Sequence, residues 1–138
     1  MPAKVEGVVE SALYVADINR AAVFYRDVLG LELMSQDERF AAFSVAGQQV
    51  LLLFKRGASM EPMTISGGII PPHDGSGTTH IGFAVAASNL NEWERRLAEC
   101  QVTIESRMTW PRGGISLYFR DPDGHLLELL SPGVWTIY

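Results

Sequence analysis

The chain has 138 residues, of which 47% are hydrophobic and 20% charged, and its formal net charge is −5. This length and composition suit one globular domain, or two small repeated units that share a core. The acidic balance argues against nucleic acid or an anionic membrane as a partner, because both need a basic surface, and no apolar run approaches the roughly 20 residues of a membrane span.

The N-terminal segment and the cysteine content bear on the compartment. Residues 1–11 lack the apolar core of a signal peptide, and the single Cys100 cannot form an internal disulfide. Cys100 lies on the apolar side of a predicted helix, where we expect a buried and inert thiol. These features predict a cytoplasmic protein.

The first half of the chain has the pattern of a strand, a helix and three further strands. Residues 8–15 alternate loosely between polar and apolar, which predicts a strand. Asp17 can cap the helix that follows, and Gly30 stands just past the helix end. Short strands are then predicted near 31–35, at 40–45 and at 49–54.

The same order of elements begins again near Thr79. A strand is predicted at 80–85, and Ser88 or Asn89 would cap the next helix. One face of that helix carries Leu90, Trp93, Leu97 and Cys100, and we expect Trp93 in the core. Three more strands are predicted at 102–106, 115–119 and 125–130, the last two joined by an Asp-Pro-Asp-Gly turn.

The two halves repeat with an offset of about seventy residues, which indicates an internal duplication. We predict a single domain made of module one at about 8–54, a connector at 55–79, module two at about 80–132 and a tail at 133–138. The connector is longer than a packed domain normally tolerates without a purpose. Its composition predicts mobility and little else, and we consider it as a lid.

A carboxylate stands in the middle of the apolar segment Leu-Leu-Glu-Leu-Leu. Glu128 shares one strand face with Leu126 and Leu130. A bare carboxylate on such a face costs several kcal/mol, so Glu128 must be paired, protonated or bound to a cation. This segment alone favours an ion pair with an Arg on the next strand.

The repeat changes this interpretation, because it relates ligand-type residues to one another. Superposing the two halves places Glu10 on His80, and Glu128 on Leu51 or Leu52, depending on a one-residue choice of register. One imidazole and two carboxylates with open positions are typical of a divalent transition metal, and the absence of thiolate argues against a structural zinc site. We therefore prefer a metal site to separate structural roles for the three residues.

The remaining histidines are weaker candidates. His73 lies in a loop rich in Gly and Pro, and we expect it to be solvated. His125 opens the last strand on the face opposite Glu128, so we expect a surface or pairing role.

Three stretches of the sequence carry a family resemblance. Residues 12–33, 80–85 and 116–129 resemble the vicinal oxygen chelate superfamily, which includes glyoxalase I, fosfomycin-resistance transferases, extradiol dioxygenases and bleomycin-resistance proteins. The resemblance covers residues 8–132. It implies an α+β fold in which two βαβββ modules form a cupped, half-open mixed sheet around a central cavity with a divalent metal.

The resemblance also implies the ligands of that metal. Carried over by position, Glu10, His80 and Glu128 would bind one divalent ion, with Mn²⁺, Fe²⁺, Ni²⁺, Co²⁺, Mg²⁺ and Zn²⁺ as candidates. Leu51 or Leu52 stands where glyoxalase I has a carboxylate, so three protein ligands remain. This number is closer to the fosfomycin transferases and the dioxygenases, which usually carry His where this chain has Glu10.

Three residues that precede Glu128 in the sequence are candidates for substrate binding: Trp110, Arg112 and Tyr118. Residues 110–119 resemble the stretch that precedes the metal-binding Glu of the fosfomycin transferases, and Arg112 could receive an anionic substrate or be a solvated loop residue. Tyr118 matches the Tyr of the extradiol dioxygenase motif and also suits a strand aromatic with a polar tip. Because the His of that motif is absent from 109–114, oxygen chemistry ranks low.

Two classes of function follow. The first is a metal-dependent glyoxalase-like lyase or isomerase that stabilises an enolate or oxyanion of a small substrate with adjacent oxygens, with Glu128 or secondarily Glu10 as base. A fosfomycin-type transferase and an extradiol-type dioxygenase are the alternatives within this class. The second is a metal-free bleomycin-resistance-like drug-binding protein that uses Trp110 and Trp135. The retained ligand trio favours the enzyme.

The predicted architecture also favours self-association. A half-open cupped sheet leaves strand edges and apolar surface to cover, and the tail at 133–138 is apolar. We therefore predict a homodimer that acts on a small-molecule substrate.

Overall fold

The computed structural model describes residues 2–138 and divides the chain after Ser76 into two compact units. In the described residues the strands are β1 Glu10–Val15, β2 Glu32–Gln36, β3 Phe40–Val45, β4 Gln49–Lys55, β5 Met63–Ile65, β6 Gly68–Ile70, β7 His80–Ala84, β8 Ser106–Thr109, β9 Ile115–Arg120 and β10 Leu126–Leu130. The helices are α1 Ile18–Asp27 and α2 Leu90–Glu99, and a 3₁₀ turn at Ala87–Asn89 precedes α2.

The first unit is a four-stranded mixed sheet with one helix packed on it. The strand order is β1-β4-β3-β2, with β1 parallel to β4 and the other pairs antiparallel. On β4, Leu51 and Leu53 are fully buried while Leu52 and Phe54 on the other face are half-buried. Helix α1 buries Ile18, Ala21, Ala22 and Tyr25. The period-2 pattern of β4 therefore separates a core face from a second, partly open face.

The second unit repeats this topology. Its strand order is β7-β10-β9-β8, with β7 parallel to β10 and the other pairs antiparallel. Leu127 and Leu129 of β10 and Leu97 of α2 are buried in its core. The predicted α+β fold of two βαβββ modules is confirmed, because each unit has the order strand, helix and three strands.

The strand registers decide which leucine is equivalent to Glu128. In the second unit, Gly82 of β7 is the partner of Glu128. Gly82 lies two positions after His80, so its equivalent on β1 is Ala12, two positions after Glu10. The β4 partner of Ala12 is Leu52. Leu52 therefore occupies the fourth position of the repeated frame.

One predicted strand was misplaced, and one hairpin was not predicted. The strand expected at 102–106 lies at Ser106–Thr109, because pairing with β9 sets its register and Glu105 makes the first backbone bond, to Tyr118 O at 2.7 Å. The connector, for which the composition predicted only mobility, contains the β5–β6 hairpin. Its short alternation of apolar residues around a Ser-Gly turn was hidden by the surrounding Gly and Pro.

The helix predictions were partly right. The Asp17 side chain accepts from Arg20 N at 2.9 Å and caps α1 as expected, and Gly30 adopts φ +69° after the helix. Neither proposed cap of α2 acts in that way, because Asn89 at the cap position makes no side-chain cap bond. Cys100 is exposed rather than buried, since α2 ends at Glu99 and leaves it beyond the packed face.

Trp93 lies at the margin of the core rather than inside it. Its side chain is half-buried, and the Arg96 guanidinium lies 5.4 Å from the ring centroid. The ring therefore packs partly beneath a cation, as amphipathic aromatic side chains often do.

Candidate functional site

Glu128 occupies the centre of the second unit's sheet. It lies on β10 between β7 and β9, is 7% exposed, and faces Gly82 on one neighbour and Tyr118 on the other. A Cβ at Gly82 would lie 3.0 Å from Leu130 Cδ2 and 3.7 Å from Glu128 Oε1. A side chain at 82 would therefore press on Leu130 and lie in van der Waals contact with the carboxylate, so the glycine leaves the space beside Glu128 unfilled.

One oxygen of this carboxylate is held by a chain of hydrogen bonds. Ser116 Oγ donates to Glu128 Oε2, and Trp110 Nε1 donates to Ser116 Oγ at 2.8 Å. Because an indole nitrogen can only donate, the serine accepts from Trp110 and its own proton goes to the carboxylate. The Tyr118 side chain also bonds to Glu128, and burial first and this carboxylate second raise the pKa of Tyr118.

The other carboxylate oxygen faces a histidine. His80 Nε2 lies 3.2 Å from Glu128 Oε1, and His80 Nδ1 lies 2.8 Å from Leu126 O. A carbonyl oxygen only accepts, so Nδ1 carries a proton and the neutral ring has its lone pair on Nε2. Two electron-rich atoms then face each other, and this arrangement requires a proton or a cation between them.

This pair fits a divalent metal. A histidine that binds a metal usually donates its other ring N–H to a carbonyl or carboxylate, and a ligating carboxylate is itself hydrogen-bonded. His80 and Glu128 meet both conditions through Leu126 O and Ser116. The alternative of an Arg partner is wrong, because the Arg on the adjacent strand, Arg120, pairs with Glu105 at 2.8 Å.

Glu10, the third predicted ligand, lies exposed at the start of β1 in the first unit. Within residues 2–138, neither unit by itself gathers three His, Cys, Asp or Glu side chains into a metal-sized group. The structure therefore brings His80 and Glu128 together in one unit, and the participation of Glu10 stays a prediction.

The first unit contains a half-open cavity of about 530 Å³ that sequence reasoning missed. It lies on the sheet face of Glu10 and Leu52, which the repeat relates to the face of His80 and Glu128. Its walls include Tyr14, Phe40, Phe54, Met63, Ile70 and His73. The half-buried aromatic residues alternate with core residues along β1 and β4, and this alternation was the available signal.

His73 belongs to this cavity and is not solvated as expected. Its Nδ1 shares a hydrogen bond with Tyr14 OH at 2.7 Å, and its ring makes an edge contact with Phe54 at a centroid distance of 4.5 Å. Burial, and then the charge of Asp74, raise the pKa of Tyr14. The backbone N–H groups of Gly57 and Gly75 lower the pKa of Asp74.

His125 has the pairing role that the sequence allowed and not the surface role. It is 1% exposed, and its Nδ1 accepts from Thr79 N at 3.0 Å, so it joins the segment before β7 to the turn before β10. The strand alternation correctly separated it from Glu128. It could not show that the opposite face at this point is covered by residues far away in the sequence.

The three predicted substrate-binding residues have different surroundings. Arg112 is exposed in the β8–β9 loop, whereas Trp110 and Tyr118 are half-buried beside Glu128 and Ser116. Trp135, the other aromatic candidate for drug binding, is 67% exposed. A role for these residues in binding stays a prediction.

Comparison with known proteins agrees with the fold. The chain is 31% identical over 120 residues to the glutathione transferase FosA of Serratia marcescens, covering 85% of this chain and 74% of that protein. It is 29% identical over 126 residues to the metallothiol transferase FosB of Staphylococcus haemolyticus, covering 91% of this chain and 83% of that protein. These relatives are enzymes.

Solved structures and a family profile extend this comparison. The crystal structure of lactoylglutathione lyase from Agrobacterium tumefaciens superposes with a TM-score of 0.85 at 32% identity and covers 96% of this chain and 98% of that one. No helix among residues 2–138 has the length and hydropathy of a membrane span. Residues 7–129 match the profile described as Glyoxalase/Bleomycin resistance protein/Dioxygenase superfamily, and the chain therefore belongs to that superfamily.

Proposed function

We propose that this protein is a divalent-metal-dependent cytoplasmic enzyme that binds a small substrate through two adjacent oxygens. Its metal ligands are Glu10, His80 and Glu128. The observation that carries the proposal is the 3.2 Å approach of His80 Nε2 to Glu128 Oε1, with the far side of each group already hydrogen-bonded. Such a pair is prepared for a cation, and three protein ligands leave coordination positions open for substrate.

The chain's own residues hold this pair in place. Leu126 O fixes the tautomer and ring orientation of His80, and Ser116 fixes the carboxylate plane of Glu128. Bound there, a divalent metal would supply a Lewis acid that polarises the substrate oxygens. Tyr118 beside Glu128 keeps its phenol protonated over a wider pH range, since its pKa is raised, and can donate to a substrate oxygen.

The same geometry favours group transfer over proton abstraction. A general base must be able to approach the proton that it removes, whereas Glu128 is held by Ser116 and by Trp110 behind it. Leu52 at the equivalent position of the first unit supplies no second carboxylate. We therefore assign Glu128 as a fixed ligand, and the reaction as attack of an external thiol on an electrophilic carbon. The C–S bond forms as a C–O bond of that carbon breaks, and the thiol proton goes to the released oxygen. The names of the relatives, metallothiol transferase and glutathione transferase, support this assignment.

A glyoxalase-type lyase or isomerase is the second candidate. The lactoylglutathione lyase structure, at 32% identity, supports it. In that case Glu10 is the better base, because it is exposed on β1 whereas Ser116 holds the Glu128 carboxylate. The two candidates share one metal site and differ in whether a carboxylate moves a proton.

Metal binding tests the proposal first. Protein purified without chelator or histidine tag should contain a divalent metal, and the metal-free protein should bind Mn²⁺ or Ni²⁺ in calorimetry. Glu128→Gln should weaken that binding at least about 10-fold, since a charged ligand is lost. Glu38→Gln, at an exposed carboxylate, is the matched control. Absence of metal binding in the unmodified protein would refute the proposal and favour the metal-free drug-binding alternative.

Activity separates the two reactions. With Mn²⁺ bound, the transferase assignment expects loss of free glutathione in the presence of fosfomycin, followed with a thiol reagent. Glu128→Gln should abolish this loss. Conversion of the methylglyoxal–glutathione adduct, without consumption of thiol by fosfomycin, would instead establish the lyase candidate.

A further inference from the structure

The cavity of the first unit has a wall of stacked aromatic rings. The ring centroids of Tyr14 and Phe54 are 5.8 Å apart and those of Phe40 and Phe54 are 6.3 Å apart, each with an interplanar angle of 28°. All three side chains are half-buried on the open face of the sheet. Nearly parallel rings present a flat apolar surface, and flat aromatic groups pack well against such a surface.

This wall is built before any ligand arrives. The Tyr14 hydroxyl is fixed by His73, and Gly75 lies so close that a Cβ there would be 2.5 Å from Tyr14 Cδ2. Asp74 accepts from Gly57 N at 3.0 Å and closes the loop that carries His73 and Gly75. A pre-organised wall loses little conformational entropy when a ligand binds.

The β5–β6 hairpin supplies another apolar side of the same cavity. Met63 and Ile70 line it, although they remain 38% and 44% exposed. Their exposed surface would be covered by a group that fills the cavity. Burial of an apolar surface of this kind favours binding by about 25 cal/mol per Å².

Charges at the cavity do not select an anion. The ionic side chains that line it are Arg39, Glu10 and Glu61, and the Arg39 guanidinium already donates to Ala58 O. One cation and two carboxylates give no net positive field, so an anionic group would gain little here. A volume of about 530 Å³ is also in the range of drug-sized ligands and larger than a substrate of a few atoms requires.

From these observations we infer that the cavity receives an uncharged aromatic group of the substrate. The identity of the ligand as substrate rests on the proposed function, whereas the binding of an aromatic group by this cavity does not. The preferred substrate is therefore a compound that combines two adjacent oxygens with an aryl group, and the aliphatic fosfomycin and methylglyoxal probes test only the class of reaction.

The first experiment needs no metal. Benzyl alcohol is titrated into the metal-free protein, and the methyl resonances are followed in ¹H–¹³C spectra. We expect saturable shifts at Met63, Ile70 and Leu52, which line the cavity, and none at Val23, which is exposed on α1 outside it. Shifts that are absent, or equal at Val23 and at the cavity methyls, would overturn the inference.

The second experiment compares two metal chelators with the same head group. Benzohydroxamate and acetohydroxamate each present two adjacent oxygens, and they differ in a phenyl or a methyl group. On the Mn²⁺-loaded protein we expect benzohydroxamate to bind at least about 10-fold more tightly, because Glu10, a metal ligand in the proposed function, lines the cavity, and a chelator on that metal would place its phenyl group there. Phe54→Ala should reduce this ratio, whereas Phe24→Ala, the same truncation on α1, should leave it unchanged.

The outcomes separate this inference from the proposed function. If acetohydroxamate does not bind but benzyl alcohol shifts the cavity methyls, the metal-dependent function fails and the aromatic site stands. If both hydroxamates bind with a ratio that Phe54→Ala does not change, the aromatic site fails and the metal site stands. If the Phe54→Ala protein does not fold, Ile70→Ala, at a partly exposed cavity residue, can be used to measure the same ratio of hydroxamate affinities.

Discussion

At the scale of single residues, the buried carboxylate of Glu128 is compensated by neutral partners. Ser116 and Tyr118 bond to it and His80 lies 3.2 Å away, while Arg120 is engaged with Glu105. Breaking an Arg–carboxylate pair would destabilise the fold strongly whether or not metal is present. The observed surroundings instead make Glu128 more important for cation binding than for folding.

Ser116→Ala tests the positioning of Glu128. Removal of the donor to Oε2 leaves the carboxylate free to turn, and loss of such an outer partner weakens metal binding by about 10–100-fold. Calorimetry with Mn²⁺ measures the change. Trp110→Phe keeps an aromatic side chain but removes the N–H, and it should have a smaller effect in the same direction.

The matched control for this prediction is Ser44→Ala. Ser44 Oγ accepts from Gly47 N in a turn of the first unit and takes no part in the Trp110–Ser116–Glu128 chain of hydrogen bonds. Its loss should leave the Mn²⁺ affinity unchanged. Equal affinities for wild type and Ser116→Ala would mean that the hydrogen bond does not orient the ligand.

Asp74 should make stability depend on pH in the acid range. The N–H groups of Gly57 and Gly75 lower its pKa in the folded state, so its contribution is complete above the unfolded pKa of about 4 and is lost as pH falls through the folded value. Asp74→Asn should therefore lower Tm at pH 7 more than at pH 3. An equal difference in Tm at both values would contradict this assignment.

At the scale of elements, the sequence predicted the ends of a helix correctly where capping residues determine them. Asp17 and Gly30 bound α1 as their residue types predict, because capping and a positive φ are properties of a few adjacent residues. The start of β8 instead depends on a partner strand, and the site of pairing with Tyr118 could not be read locally. The β5–β6 hairpin was missed because its strands have only three residues each.

The two helices give a matched test of capping. Asp17→Ala removes a bond to Arg20 N and should lower the free energy of unfolding by about 1 kcal/mol. Asn89→Ala should cost less, because Asn89 makes no side-chain cap bond. Urea denaturation of both variants measures the difference, and a larger loss for Asn89→Ala would contradict the observed caps.

At the scale of the whole molecule, two units with one topology carry different side chains at equivalent positions. The second unit has His80 and Glu128 on its open face, whereas the first has Glu10 and Leu52 with an aromatic cavity beside them. Duplication therefore preserved the frame, and the side chains diverged into a polar cluster in one unit and an apolar cavity in the other.

The C-terminal tail gives a prediction about assembly. Tyr138 is anchored, since its hydroxyl donates to Leu130 O at 2.9 Å, but Trp135 and Ile137 are 67% and 94% exposed. We expect these side chains to be covered in a homodimer. Light scattering should give a mass near twice the 15.2 kDa of one chain. A mass of one chain at micromolar concentration would refute the dimer.

Substitutions test whether the tail contributes. Trp135→Ser combined with Ile137→Ser should raise the dimer dissociation constant, because both remove exposed apolar surface. Val5→Ser, at a residue that is 91% exposed near the N-terminus, is the control. Equal dissociation constants for the wild type and the double variant would exclude the tail from the interface.

The sequence by itself determined the duplication, the strand and helix order, and His80 and Glu128 as ligand-type residues, because periodicity and residue chemistry repeat locally along the chain. Only the tertiary structure decided that Leu52 is equivalent to Glu128, that His73 and His125 are bonded within the fold, and that Ser116 and Trp110 hold the carboxylate. These facts depend on strand register and on contacts between residues distant in the sequence. A register shift of one residue exchanges the two faces of a strand, and no local pattern specifies which distant side chain lies opposite.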